Sequence, residues 1–410
     1  MNKNTYTIVA GICYALLLIF TLFNARLLTV YTDESVYLTN IPRLEQLGFS
    51  RQFFLEYNGA AGPLYTFIHY WLKPLTGLQL PYIRYVNIVF LLLVILIINK
   101  IGRFFQENND NIPHLGWFLM AIPTTAISAG LALTELPAMF FLWLSVLLLL
   151  KIEQMQTPRN KVIFAFLSAF ALSIAIIGRQ VYLVTLVGFA YYLIKKQHNF
   201  KIISLFLFVA PLLPSLLFYT WGGLLAQHDR AIIEHEYSPF HLSLAFCYAA
   251  LFIAFIRPQW FIFYKNASFL RFSIAVVFIC FLLNWFVLDV HFLPNKALLW
   301  KLLPSKSHQD ILSNLFGGLT LFLSLYFLMA FSYHLYKNRN NTFYVFCALN
   351  FILILGTCLK ISHVFGSRYV FQAMPFMLVL LNTDLKIGRK EVFLLLIGFI
   401  LGFISLYLTR

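Results

Sequence analysis

The sequence predicts an all-α protein that crosses a membrane many times, and three observations carry the prediction. Of the residues, 61% are hydrophobic and 11% are charged, where an ordinary soluble domain has roughly 25% charged residues. The apolar residues fall in runs of about 17 to 25, enough for a helix to span ~30 Å of hydrocarbon. Those runs far exceed the roughly 10-residue alternating strands of a membrane barrel, and a helix satisfies its own backbone amides and carbonyls within each segment.

Taken in order, the runs place about thirteen helices, near 6–28, 82–99, 115–132, 136–150, 162–178, 181–194, 202–220, 240–256, 272–288, 312–335, 342–359, 368–382 and 392–408. The first run is too long and too lightly charged at its start for a cleaved signal peptide, so it is expected to persist as a helix. The chain reads as one transmembrane domain over 1–410, with no internal repeat and no soluble domain. With the N-terminus inside, Lys3, Lys100, Arg103, Lys151, Arg159, Lys161, Lys195, Lys196, Lys201, Arg257, Lys265, Arg271, Lys337, Arg339, Lys386, Arg389 and Lys390 all fall in connections on the inner side, which sets the orientation. The net charge of +15 therefore reports topology and contact with anionic lipid, and gives no reason to propose nucleic acid. Asp33, Glu34, Glu45, Glu56, Glu135, Asp229, Glu234 and Glu236 gather on the other side, which points to work done at the outer face. Cys13, Cys247, Cys280, Cys347 and Cys358 sit inside apolar runs, as packing residues rather than a disulfide framework or metal site.

The longest outer connection, about 29–81, has structure of its own. In 35–47, Val36, Leu38, Ile41, Leu44 and Leu47 fall near one helical face, the pattern of a helix lying in the interface. After a turn at Tyr57-Asn58-Gly59, residues 63–72 read as a second apolar, aromatic interfacial helix. Two such helices after the first span would lid a cavity at the outer leaflet. The stretch Tyr31-Thr32-Asp33-Glu34-Ser35 opens this connection with two adjacent carboxylates.

The order of short motifs carries a resemblance. Tyr31-x-Asp33-Glu34 after the first span, Gly62-Pro63-Leu64-Tyr65, Arg84-x-x-Asn87 opening the second span, Thr134-Glu135-Leu136-Pro137, Gly178-Arg179-Gln180, and Arg368-Tyr369 with Pro375 shortly after resemble the C-type superfamily of polyprenyl-phosphate-sugar-dependent membrane glycosyltransferases. Within it the chain is most similar to the dolichyl-phosphate-glucose α-1,2-glucosyltransferase family, which also has an Asp-Glu in its first outer loop, a later Arg-Gln, and a Gly-Gly stretch followed by Asp and His, as Trp221-Gly222-Gly223, Asp229 and His235 stand here. The segment after Gly223 departs from that pattern. The resemblance implies transfer of a hexose, glucose or a related sugar, from a polyprenyl phosphate to a glycan or lipid-linked acceptor, with inversion, at the outer or lumenal face.

The residues can be weighed beside it. Displacing a sugar from a polyprenyl phosphate expels a phosphate monoester, so the reaction needs a base for the acceptor hydroxyl and cations for the phosphate. Asp33 is the expected base and Glu34 its acceptor-positioning neighbour, since two carboxylates at a partly desolvated surface raise the proton affinity of one of them; the alternative is an acidic pair that caps a helix N-terminus. Arg179 and Gln180, between two apolar runs with almost no loop, suit a lipid-linked phosphate, with Arg368 and Arg84 as further phosphate contacts. A snorkelling arginine at a helix end is the plain alternative. Glu135, His228, Asp229, His363 and Tyr369 are candidates to grip sugar or acceptor, Glu135 equally a turn acid. The spacing of His228, Asp229, His235 and Glu236 matches no helical zinc motif, so no metal and no cofactor are expected. A transporter or flippase of lipid-linked sugars is the alternative function; it should carry ionisable residues near mid-membrane, whereas here they gather at span ends. The expected location is a bacterial plasma membrane with the site facing out, or alternatively the endoplasmic reticulum with the site in the lumen.

Overall fold

The computed structural model describes residues 3–24, 32–104, 115–226, 237–261, 267–288, 305–361, 365–381 and 387–408. Its α-helices, in order, are α1 Lys3–Phe23, α2 Thr32–Leu47, α3 Arg51–Leu55, α4 Leu64–Thr76, α5 Tyr82–Phe104, α6 Thr124–Gly130, α7 Glu135–Gln154, α8 Pro158–Gly178, α9 Thr185–Lys195, α10 Phe200–Trp221, α11 Pro239–Ile256, α12 Ala267–Leu283, α13 Lys306–Lys337, α14 Thr342–Gly356, α15 Arg368–Phe371, α16 Met374–Leu381 and α17 Arg389–Leu408. Among the described residues, nine helices are long and apolar enough to cross a membrane: α1, α5, α7, α8, α10, α11, α13, α14 and α17.

That corrects the expectation of about thirteen spans. Residues 115–132 form a 3₁₀ stretch, Leu115–Ala121, and the seven-residue α6, broken at Pro123, which offers no amide to a continuous helix. Of the expected span 368–382, the described residues 368–381 form the four-residue α15 and the eight-residue α16. Both stretches are almost wholly buried. Residues 181–194 and 272–288 belong to short apolar helices, Gln180–Lys195 and Arg271–Val287. Hydropathy averaged over a window records only that a segment avoids water. It cannot separate a segment buried in protein from one facing lipid, and short apolar pieces usually belong to the first kind.

Close backbone approaches hold this interior. α7 and α8 exchange hydroxyl–carbonyl bonds, Ser145 Oγ to Ser168 O and Ser168 Oγ to Ser145 O, each 2.8 Å, the small-residue contact that lets two apolar helices close up. α17 lies against the break before α6 so tightly that a Cβ on Gly398 would stand 1.8 Å from Ala121 O. All five cysteines are free and buried.

The long connection is helical where expected, but α2 turns a different face inward. Its buried residues are Glu34, Tyr37, Asn40, Ile41 and Leu44, so Ile41 and Leu44 belong to the expected apolar face while Val36 and Leu38 are only half-buried. Asn40 braces the turn at Asn58 from both sides, donating to its carbonyl and accepting from its amide. Trp221 stacks on Tyr57 and donates from Nε1 to Phe54 O at 2.7 Å, and α10 ends there on Gly222 at φ +69°, a left-handed stop suited to glycine. Thus Trp221-Gly222 secures the connection to the end of a span.

Gly62 docks the connection next to the most interesting arginine. Its amide donates to Gly178 O at 3.3 Å, and a Cβ there would lie 1.7 Å from Ile177 O, one residue pair before Arg179. Gly62→Ala should therefore push α4 off the end of α8, costing about 3 kcal/mol as an overpacked site with rigid backbone in the way; thermal unfolding in detergent should show it as a clear drop in Tm, whereas Gly11→Ala, which meets nothing within 4 Å, should not.

Candidate active site

The site is built at one end of the spans. Asp33 and Glu34 follow α1, Arg84 and Asn87 open α5, Glu135 opens α7 and Arg179 follows α8. Lys100, Arg103 and Lys151 lie at the opposite ends of the same helices.

Glu34 and Arg84 face each other. Arg84 Nε is 2.6 Å from Glu34 Oε1 and Nη2 is 2.7 Å from Oε2, and both side chains are fully buried. The Ala132 amide also donates to Glu34 Oε1, at 2.6 Å. One turn further along α5, Asn87 Nδ2 reaches Leu131 O at 2.8 Å and Leu133 O at 2.7 Å. The motif Arg84-x-x-Asn87 is therefore a clamp: the first residue holds α2 through Glu34, and the second holds the 131–133 turn that leads into Glu135. Neither Glu34 nor Arg84 lies where an entering ligand meets it in this structure.

A second cluster gathers beside that clamp. α8 ends at Gly178, and Arg179 follows in extended backbone, φ −144° and ψ 109°, which turns its side chain into the protein. Its Nη1 donates to Thr134 Oγ1 at 3.1 Å and its Nε to Gln372 Oε1 at 3.3 Å, while Nη2 is 3.4 Å from Glu135 Oε1. The same Glu135 oxygen is 3.8 Å from Arg368 Nε. Arg368 Nη1 is 2.6 Å from Asp33 Oδ2. Thr124 and Ser367 share a 3.0 Å hydroxyl contact just before Arg368. The four charged groups thus form a row: Arg179, Glu135, Arg368, Asp33.

From Glu135 outward, exposure rises along that row. Glu135 is 1% exposed, Arg368 23% and Asp33 34%, so the cluster opens to its surroundings at Asp33. Burial works against the charge on Arg368, yet the nearby carboxylates of Glu135 and Asp33 outweigh it and raise its pKa further above the usual arginine range, which keeps the cation permanently charged. Tyr37, buried next to these groups, is pushed up to about 12, chiefly by burial, and stays a neutral phenol. Around Arg179, several buried polar atoms have no hydrogen-bond partner: both Glu135 carboxylate oxygens, Gln180 Nε2, Tyr182 OH and Gln372 Nε2. Buried groups in that state cost about 1 to 3 kcal/mol each, so a polar guest that bonded them would be held well.

Of the residues read from the sequence, the structure brings Asp33, Glu135, Arg179 and Arg368 together, gives Glu34 to Arg84, and places Gln180 and Tyr369 next to the two clustered arginines in the chain. His228, Asp229 and His363 lie outside the described residues, as do His235 and Glu236. Among the described residues no three His, Cys, Asp or Glu side chains gather as a possible metal site. Gln372, Thr134 and Tyr37 were not anticipated. Gln372 had a signal: it is an amide in the middle of the apolar run 368–382, and a polar side chain in such a run marks function or packing need.

No protein-family model and no curated protein matches the sequence. Among solved structures, the chain is similar to ArnT from Cupriavidus metallidurans in the apo state, at 11% identity over 95% of this chain and 76% of that one with a TM-score of 0.42. It is likewise similar to the same protein bound to undecaprenyl phosphate, at 12% identity over 97% and 77% with a TM-score of 0.41.

Two outcomes are expected from this geometry. Glu34→Ala leaves Arg84 buried without its carboxylate and should cost ~3–5 kcal/mol, read as a lost or strongly lowered unfolding transition, while Glu34→Leu combined with Arg84→Met should recover much of it. His69 is fully buried with both ring nitrogens unpartnered, and burial lowers its pKa from 6.5 to about 4. The unfolded chain therefore binds the proton more readily than the folded one, so stability is lost as pH falls from about 6.5 towards about 4, by up to ~1.4 kcal/mol per pH unit. His69→Phe should flatten the fall in Tm over that window.

Proposed function

We propose that this chain is an integral membrane glycosyltransferase that moves a hexose from a polyprenyl phosphate to an acceptor hydroxyl. The observation that carries the reading is the pair of arginines, Arg179 and Arg368, converging on one buried carboxylate, Glu135, with a more exposed carboxylate, Asp33, at the mouth. The ordered motifs that resemble the C-type superfamily fall on these same residues and on the clamp that holds them.

In the proposed reaction the acceptor oxygen attacks the anomeric carbon from the face opposite the phosphate. Its proton passes to an Asp33 carboxylate oxygen as the new carbon–oxygen bond forms. The bond from the anomeric carbon to the phosphate oxygen breaks, and the electron pair leaves with the polyprenyl phosphate, whose charge Arg368 and Arg179 receive. The anomeric centre inverts. Two guanidinium groups already fixed by Glu135, Thr134 and Gln372 need little reorganisation when the charge develops, which is the source of their effect. Gln180, Tyr182 and Gln372 supply the polar surface for sugar hydroxyls, and Tyr369 lines the approach to Arg368. Glu34 and Arg84 set the position of Asp33 rather than touching substrate. The scheme asks for no metal ion. Glucose or a related hexose is the proposed donor sugar, and the outer or lumenal face the proposed side.

Purified protein offered a panel of radiolabelled polyprenyl-phosphate hexoses, with membrane lipid extract as acceptor, tests this. Transfer from one donor is expected. It should fall ~10³-fold in Asp33→Asn, as for loss of a positioned base, and ~10²–10³-fold in Arg179→Ala, in variants with unchanged elution by size-exclusion. No transfer from any donor would leave transport of lipid-linked sugars as the reading to pursue.

A further inference from the structure

The charges of the site are balanced as the chain stands: Arg179 and Arg368 against Glu135 and Asp33. A phosphate anion that enters beside Arg368 therefore brings negative charge to a neutral cluster. Two like charges held close in a partly desolvated site repel strongly, and the simplest relief is for one carboxylate to withdraw. Glu135 cannot do so, because it is 1% exposed and lies between both arginines. Asp33 can: it is 34% exposed, and among the described residues its ion pair is the 2.6 Å contact with Arg368 Nη1. Its neighbour Glu34 is locked to Arg84 and the Ala132 amide, so the backbone stays in place and the movement is confined to the Asp33 side chain.

We propose that Asp33 is a built-in stand-in for the donor phosphate on Arg368, and that phosphate binding displaces it. The inference rests on the glycosyltransferase reading above and deepens it: the phosphate that arrives on Arg368 is what releases the base. The contact engages Oδ2 and holds the carboxylate turned towards Arg368 rather than towards an acceptor hydroxyl. Once the phosphate takes over Arg368, the Asp33 carboxylate swings away from that cation and turns to whatever enters from the open side. The donor must then bind before the acceptor can be activated, and the order is set by competition between two anions for one cation.

A double-mutant cycle on binding separates this exchange from general repulsion. Farnesyl phosphate, a short sugar-free polyprenyl phosphate, is titrated into the full chain in detergent as wild type, Asp33→Asn, Arg368→Gln and the double variant. Arg368→Met replaces Arg368→Gln if the latter is not recovered folded. Removing the competitor is expected to tighten binding about 10-fold in the wild-type background and less than about twofold where Arg368 is absent, a coupling of about 1 to 1.4 kcal/mol. Equal tightening in both backgrounds would mean that Asp33 only repels the phosphate from a distance, and would overturn the exchange. Unchanged or weaker binding in Asp33→Asn would overturn it as well. Either result alongside sugar transfer by wild type would leave the glycosyltransferase reading standing, whereas wild type that neither binds the probe nor transfers sugar removes both.

Discussion

The structure of the site depends on the buried ion pair between Glu34 and Arg84. Two charges without solvent are costly to bury, and such a pair is tolerated only where its geometry is good and its remaining capacity is met. Here the guanidinium fork meets the carboxylate with both oxygens, at 2.6 and 2.7 Å, and the Ala132 amide adds a third bond to Glu34. Three segments distant in sequence are joined at one point: the start of α2, the start of α5 and the turn before α7. Loss of either partner strands a charge, so the join acts as a unit. Asp33 and Glu135, which flank Arg368, are each adjacent to one arm of it.

The row of charges beyond that join is graded in exposure, and the gradation assigns different work to chemically similar groups. Glu135, sealed between two arginines, fixes their separation and has no route to solvent. Asp33 carries the same charge at the rim and can move. In the proposed reaction the buried carboxylate positions the cations and the rim carboxylate meets substrate, a division of labour that follows from burial. The unpartnered polar atoms of Gln180, Tyr182 and Gln372 around Arg179 add donors that the folded chain leaves unsatisfied, as expected of a place built to receive a polar guest rather than of a sealed core.

Much of this was legible in the sequence, and the reasons for the rest are physical. Membrane helices follow from composition and run length, and helices in the connection between α1 and α5 follow from periodicity and breakers. The number of spans does not, because 115–132 and 368–382 are as apolar as true spans but are broken and enclosed by protein; Pro123 was the visible sign in the first. The inward face of α2 was misjudged for a related reason: hydrophobic periodicity pointed to Val36 and Leu38, while the face is organised by Glu34, Tyr37 and Asn40, whose burial depends on partners supplied by α5 and the turn at Asn58. Asp33, Arg179 and Arg368 could be singled out as charges at span ends. That Arg368 would meet Asp33 could not be read, since a contact across more than three hundred residues is a property of packing. Gly62 is the opposite case, a motif residue whose need for glycine becomes plain once Ile177 O is found 1.7 Å from where its Cβ would stand.

The account stands or falls on the claim that the Glu34–Arg84 pair holds α2 and the 131–133 turn together. Hydrogen–deuterium exchange of wild type and Glu34→Gln, which keeps the size of the side chain and removes its charge, tests it most directly. The account predicts faster exchange in both 32–47 and 131–135, two segments far apart in sequence, with α13 and α14 unchanged. Faster exchange in 32–47 alone, or in neither, would contradict it.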